Sequence, residues 1–349
     1  MGIDERKAIV IGGGVAGLQA ALALVAGGAE VVLVEKSKEL GGRLRGSHRT
    51  FPELEPPSRY LDVMLAKVES NPRIRIMTGS TATGARRNKV FDVDVRKEGR
   101  AGAETVRADA LIIATGMELV NAGKITEFGL GRFPDVVTSE RFEAMLSSGE
   151  GLKRVSDGSP ARAIVFVQCV GSRVEKRGVP YCSAVCCSNA IKQAMLVRQS
   201  DRSVSAYILY IDIRTAGRGC EAFYKKARQE GVRFVRGQPS MILKRPDSEK
   251  LVVCGENTLA KELYEIPADL VVLSVGLELG EGTKTLLKDL GAELDGEGLP
   301  RHGAAGSTST TIPGLFVAGC AESPKDVQAA IAQGAEAGLA AVARPAAKD

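Results

Sequence analysis

The sequence predicts an α/β protein with two nucleotide-binding-type domains, one of them interrupted by the other. Three observations carry this. Strand-sized apolar runs alternate with Ala- and Leu-rich helical runs along the chain. A glycine fingerprint, Gly12-x-Gly14-x-x-Gly17, sits between the first strand and the first helix. Two strands end alike, "ADALIIATG" at 108–116 and "ADLVVLSVG" at 268–276, as two copies of one plan would.

In chain order, residues 8–11 read as a short buried strand, 15–26 as a helix ended by Gly28, and 31–34 as a second strand closed by Glu35. Strand before, helix after and an acidic residue closing the next strand make the glycine pattern specific. Gly12 permits the tight turn, Gly14 lets backbone approach a pyrophosphate, and Gly17 allows close helix–strand packing. The helix start at Val15 and Ala16 adds free N–H groups and partial positive charge. Glu35, followed by Lys36, would accept from ribose hydroxyls.

The remaining expected elements are strands at 163–168, 205–213, 232–235, 241–244 and 251–253, with helices at 183–199 and 220–230. Linkers are expected at 151–160 and 276–283.

Composition excludes several classes. The chain has 349 residues, enough for two domains with sizeable cores. Hydrophobic residues at 44% and charged residues at 26% are the balance of a soluble globular protein. The net charge of +5 is dispersed, with no basic run that would form a nucleic-acid arm. The first six residues are too short and too charged for a signal peptide. No apolar run approaches the roughly 20 residues of a spanning helix. The expectation is a cytoplasmic chain with no membrane insertion and no nucleic-acid partner. Its seven cysteines are then reduced, metal-bound or catalytic rather than structural disulfides.

Those cysteines are the most unusual feature. "QCVGSRVEKRGVPYCSAVCCSNAIKQA" carries Cys169, Cys182, Cys186 and Cys187, spaced neither as a C-x-x-C redox pair nor as a common zinc finger. They occupy the strand end and helix start where a second dinucleotide domain would carry its own glycine loop, and that pattern is missing. A pyridine-nucleotide site there is not expected. Four thiolates at this edge of a parallel sheet suit a 4Fe-4S cluster or a tetrahedral zinc. Ordinary buried cysteines and a redox dithiol are the competing readings. Only two histidines are present, His48 and His302, neither in a motif, which suits an electron conduit better than a hydrolase.

Several stretches resemble the FAD-binding flavoprotein disulfide reductases. Gly41-Gly42-Arg43 is similar to that family's second diphosphate-binding glycine pair. Ala114-Thr115-Gly116 is similar to its strand ending in Ala-Thr-Gly, and "TIPGLFVAGCAESPKDVQAAIAQGAEAGLAA" to its C-terminal strand, turn and helix. There Gly319-Cys320 replaces the usual Gly-Asp, and Asp326 and Val327 open the helix whose N-terminus the family aims at the flavin. The resemblance implies FAD as cofactor and a thioredoxin-reductase-like fold. It also implies an FAD domain formed by 1–120 and 290–349 and an inserted NAD(P)H-domain-like unit, 121–289, carrying the cysteines.

With the cysteine segment, the whole chain resembles the HdrA family, the A-type subunits of heterodisulfide reductase. That resemblance implies a 4Fe-4S cluster on Cys169, Cys182, Cys186 and Cys187, and a catalytic role for Lys192 near the flavin ring. It also implies homodimerisation and iron–sulfur partner subunits. The larger members' additional ferredoxin-type cysteine runs are missing, since Cys220, Cys254 and Cys320 are single. The short form is similar to the heterodisulfide-reductase-like complexes of sulfur-oxidising bacteria. The expected function is an electron-transfer subunit in sulfur or disulfide metabolism. A stand-alone disulfide oxidoreductase and a non-catalytic flavin scaffold are the alternatives.

Overall fold

In the computed structural model, residues 6–343 are described except 247, 249 and 305. The chain divides into two compact units, one made of 1–45, 57–118 and 279–349, the other of 46–56 and 119–278. In chain order the first unit starts with β1 (Lys7–Ile11), α1 (Val15–Ala26), β2 (Glu30–Val34), α2 (Gly42–Arg45), α3 (Ser58–Glu69) and β3 (Ile74–Met77). Then come β4 (Ser80–Arg87), β5 (Phe91–Lys97), β6 (Glu104–Ala108), β7 (Ala110–Ile113) and the short β8 (Glu118–Leu119). The second unit contributes β9 (Val136–Thr138), α4 (Ser139–Ser147), β10 (Ala163–Val170), α5 (Cys186–Ser200), β11 (Ser205–Tyr210) and α6 (Cys220–Gln229). It continues with β12 (Arg233–Arg236), β13 (Pro239–Lys244), β14 (Leu251–Asn257), β15 (Glu262–Ala268), β16 (Leu270–Val275) and β17 (Leu277–Glu278). The chain then returns to the first unit with α7 (Glu281–Asp289), β18 (Leu315–Val317) and α8 (Val327–Ala343).

The first unit is built on a parallel sheet in the order β18-β7-β1-β2-β3. Both faces are covered, so β1 reads as an unbroken apolar run. Ala8 and Val10 face a helical layer containing Leu18, Leu24 and Ala337. Ile9 and Ile11 face Phe91, Val93, Leu286 and Leu287, from the antiparallel sheet β4-β5-β6 and from α7.

The second unit repeats the plan with the parallel order β12-β11-β10-β16-β9. Ile164 and Phe166 of β10 pack toward Phe142, Ile191, Met195 and Phe223 of the helices. Val165 and Val167 pack toward Ile242, Val253 and Ile266 of the antiparallel sheet β13-β14-β15.

Three expectations need correction. The helix expected from 183 starts only at Cys186, because Ala184 has φ 57° and the Ser183 hydroxyl accepts from Leu277 N at 2.9 Å. The linker expected at 276–283 contains the first turn of α7, with Gly280 as its N-cap. The stretch expected as a linker at 151–160 is a closed turn, bridged between Lys153 and Pro160.

Candidate functional site

The first unit forms a cradle at the carboxyl end of β1. Only residues 12–14 separate that strand from α1. Gly12 has φ +112°, and a Cβ there would stand 2.3 Å from Ala114 O. A Cβ on Gly17 would stand 1.8 Å from Gly12 O, so α1 approaches the turn as only glycine allows. Gly14 differs: a Cβ there would meet no chain atom nearer than 4.0 Å. That open face beside the uncapped N-terminus of α1 is room for a phosphate group.

The second glycine pair comes to the same place. Gly41 N donates to Gly13 O at 2.8 Å, and Gly14 and Gly41 form a bridge. Glu35 is buried, its carboxylate accepting from Gly13 N at 2.6 Å and Ser37 N at 2.7 Å. Lys36 is exposed and lies 3.6 Å from Glu118. Arg43 Nε donates to Met117 O at 3.2 Å. Ala114 N donates to Ile11 O at 2.7 Å, and the Thr115 hydroxyl bonds Thr283 at 2.8 Å. A cleft lined by Gly12, Lys36, Thr81, Thr115, Gly116 and Thr283 opens beside this turn.

The C-terminal turn packs on the same helix. A Cβ on Gly319 would stand 2.6 Å from Ala16 Cβ, and one on Gly334 would stand 2.2 Å from Ala16 O. Asp326 accepts from Ala329 N at 2.8 Å, as an N-cap does at the start of α8, where Val327 is the first helical residue. The Cys320 thiol donates to Lys325 O at 3.4 Å.

Sequence reasoning missed the network inside this turn. Lys325 Nζ donates to Gly319 O at 2.7 Å and to Glu322 at 2.9 Å. Gln333 Nε2 donates to Glu322 at 3.1 Å, and His302 Nε2 lies 2.7 Å from it. Burial alone would raise the Glu322 carboxyl, but bonds from Lys325, Gln333 and Ser323 and the Lys325 charge outweigh it and hold it at about 2. The "PKD" in the sequence offered a cue to Lys325, and nothing in it indicated the partners.

In the second unit, residues 171–185 separate β10 from α5, and no glycine cradle forms. The loop closes on itself instead: Val179 N donates to Gly171 O at 3.0 Å, and Ser172 bridges Val179. Cys169 is at the end of β10 with φ 59°, where the pairing with β16 slips between Val167 and Val170. Cys182 Sγ accepts from Ala184 N at 3.4 Å. Cys186 and Cys187 open α5, their thiols directed at Val275 O (4.0 Å) and Asp212 O (3.7 Å). Left-handed conformations at Cys169, Arg173 and Ala184 are uncommon for residues with a Cβ and concentrate around these thiols.

Neighbouring thiols add to the burial shifts at Cys169, Cys186 and Cys187. Burial pushes Cys186 up to about 12, with Cys187, Cys169 and Cys182 adding to the rise. Burial likewise pushes Cys187 up to about 11, partly offset by a bond from the Arg214 backbone. Cys169 is raised by burial and held back by Arg173, whose guanidinium also bonds Asp212 at 2.9 Å. None of the seven cysteines, all among the described residues, forms a disulfide. Among the described residues no group of three or more His, Cys, Asp or Glu stands ready to hold a metal ion.

Lys192, expected near a flavin, is buried about a turn and a half beyond Cys187 on α5. Its Nζ donates to Glu143 at 2.6 Å and to Arg49 O at 2.9 Å. Glu143 also accepts from Gln193 at 2.7 Å and His48 N at 2.8 Å. Burial lowers the Lys192 pKa, against the opposing pull of Glu143. No helix among the described residues is long and apolar enough to cross a membrane.

The chain has known relatives in both sequence and fold. Two curated relatives are each 32% identical over 98% of this chain. One is the A-type iron-sulfur subunit of the CoB–CoM heterodisulfide reductase of Methanocaldococcus jannaschii. The other is the A-type subunit of the H2/formate:CoB-CoM heterodisulfide,ferredoxin reductase of Methanococcus maripaludis. The chain spans 64% of the length of each. Among solved structures, it is similar to thioredoxin reductase of T. acidophilum, with TM-score 0.67, 18% identity, and 97% of this chain and 98% of that one covered. It is similar to Lactococcus lactis thioredoxin reductase at TM-score 0.65, with the same identity and coverage. The fold is therefore thioredoxin-reductase-like. The family profile described as pyridine nucleotide-disulphide oxidoreductase matches residues 6–334, and the chain belongs to that oxidoreductase family.

Proposed function

We propose that this protein is an FAD- and 4Fe-4S-containing electron-transfer subunit of a heterodisulfide-reductase-like complex. In this reading the first unit is the FAD domain and the second is an NAD(P)H-domain-like insertion adapted to hold the cluster. The observation that carries it is the replacement at the end of β10. Where a second nucleotide loop would lie, Cys169 stands at the strand end, Cys182 in the loop, and Cys186 and Cys187 at the helix start. Donor chemistry fits: four thiolates complete an iron–sulfur ligand set, and the α5 N-terminus favours anionic ligands. The open face of Gly14 fits the diphosphate of FAD.

When bound, FAD supplies two-electron chemistry and the cluster one-electron transfer. The chain's residues hold and orient these groups. Gly12, Gly14, Gly42 and Arg43 bind the diphosphate region, Gly17 lets α1 close on the turn, Glu35 and Lys36 border the ribose, and Ala114, Thr115 and Gly116 close that side. Gly319, Cys320, Asp326 and Val327 present backbone N–H groups toward the ring. Cys169, Cys182, Cys186 and Cys187 hold the cluster. Lys192 is the candidate for a catalytic role, which would require its Nζ to leave Glu143 and Arg49 O. Iron–sulfur subunits are the proposed electron partners, within a homodimeric cytoplasmic assembly acting in sulfur oxidation or disulfide reduction.

The test is composition. Anaerobically prepared protein should contain about four iron, four sulfide and one FAD per chain, as one 4Fe-4S cluster and one flavin require. The Cys187→Ala variant should keep FAD and lose iron. FAD with no iron, together with thiols that reduce a disulfide substrate, would favour a stand-alone disulfide oxidoreductase.

A further inference from the structure

Among the described residues, two buried polar side chains on the strands that lead to the cysteines have no hydrogen-bond partner. Gln168 is fully buried, and neither its carboxamide nitrogen nor its oxygen is hydrogen-bonded. Ser274 is 2% exposed, and its hydroxyl is also unpaired. Buried polar groups are almost always satisfied, and leaving a carboxamide unmade is costly.

Their positions relate them. Ile164 and Phe166 of β10, and Leu270 and Val272 of β16, face the helical core. Side chains alternate along a strand, so Gln168 and Ser274 continue these two rows on the same face. Both stand where the β10–β16 pairing slips, Gln168 directly before Cys169. Ser274 directly precedes Val275, whose carbonyl receives the Cys186 thiol. Helix α5, which begins with Cys186 and Cys187, packs over β10 and β16 on this side.

We infer that Gln168 and Ser274 are positioning residues that donate hydrogen bonds to the sulfurs of the cluster proposed above, so this inference rests on that reading. No described residue bonds either group, and an anionic cluster on the neighbouring cysteines would supply sulfur acceptors. Hydrogen bonds to cluster sulfurs favour the more negative, reduced state and raise the reduction potential. They also hold the cluster in place.

The test uses the full chain, reconstituted anaerobically with iron and sulfide, as wild type, Gln168→Leu, Ser274→Ala and Ser274→Thr. Without the cluster, Gln168→Leu should melt at or above the wild-type temperature, because an orphaned amide has been replaced by an apolar group of similar size. With the cluster the effect should reverse. Gln168→Leu and Ser274→Ala should show midpoint potentials more negative than wild type by EPR-monitored titration. They should also lose iron to a ferrous chelator roughly tenfold faster, as expected for one lost hydrogen bond to a charged group. Ser274→Thr, which keeps the hydroxyl, should restore both properties. If Gln168→Leu fails to fold, the two Ser274 variants carry the same comparison. Loaded variants with unchanged potential and iron retention would overturn the inference and assign the orphans to a buried water. A wild type that takes up no iron would instead overturn the cluster reading itself, and this inference with it.

Discussion

Lys192 Nζ stands 2.6 Å from Glu143 Oε1, with the lysine side chain 2% and the glutamate side chain 8% exposed. A charge pair this deep has lost its hydration and is kept by mutual attraction and by the bonds from His48 N and Gln193. Lys192→Met leaves the carboxylate buried without its cation and should cost about 3–5 kcal/mol of stability. Replacing both charges, as Lys192→Met with Glu143→Leu, should recover a large part of that loss. Urea unfolding of the two single variants and the double variant measures the coupling. Independent, additive losses would show that the pair is not a unit.

Gly14 and Gly17 lie in one turn but serve different purposes. Gly17→Ala forces a Cβ onto Gly12 O and should disrupt folding of the first unit. Gly14→Ala has room within the chain, so it should fold with near wild-type stability. Its methyl group fills the space assigned to the diphosphate, and FAD affinity should fall by at least about tenfold, the equivalent of one lost hydrogen bond or contact of about 1.4 kcal/mol. Thermal melting and flavin fluorescence titration separate the two effects. A Gly14→Ala variant that binds FAD like wild type would remove the phosphate from that position.

Glu322 gives the first unit a defined acid response. Its folded pKa is depressed from 4.5 to about 2, so the folded state binds this proton less tightly than the unfolded chain does. The stabilisation is therefore present above 4.5 and is lost as pH falls toward 2. Glu322→Gln should be less stable at neutral pH, with a flatter stability profile across that window. Denaturation midpoints at intervals from about pH 5 to about pH 2 test this. Parallel profiles for variant and wild type would mean that the Lys325 and Gln333 contacts do not hold the carboxylate charged.

How much was legible in the sequence follows from the range of the interactions. The fingerprint from Gly12 to Gly17 was legible because turn, helix start and packing contact all lie within six residues, and α1 occupies Val15–Ala26 as the pattern indicates. The cysteine segment was legible in placement, since Cys169 lies at the end of β10 and Cys186 and Cys187 open α5 where the strand and helix patterns put them. The late start of α5 was not, because Ser183 is held by Leu277, almost a hundred residues away in sequence. Nothing local marks Glu143 as the partner of Lys192, or His302 and Gln333 as partners of Glu322. The orphaned Gln168 reads in sequence as an ordinary strand polar residue, and only its complete burial makes it conspicuous. The helix α7 was hidden by the glycines of "GEGT", which signal a loop although Gly280 is its cap.

The most direct test of the central claim is the electron capacity of the anaerobic holoprotein, titrated with dithionite and followed by visible and EPR spectra. A flavin taking two electrons and a cluster taking one give about three per chain, with a reduced-cluster EPR signal that disappears in Cys187→Ala while flavin reduction remains. A capacity of about two electrons per chain with no cluster signal, in wild type and variant alike, would contradict the account.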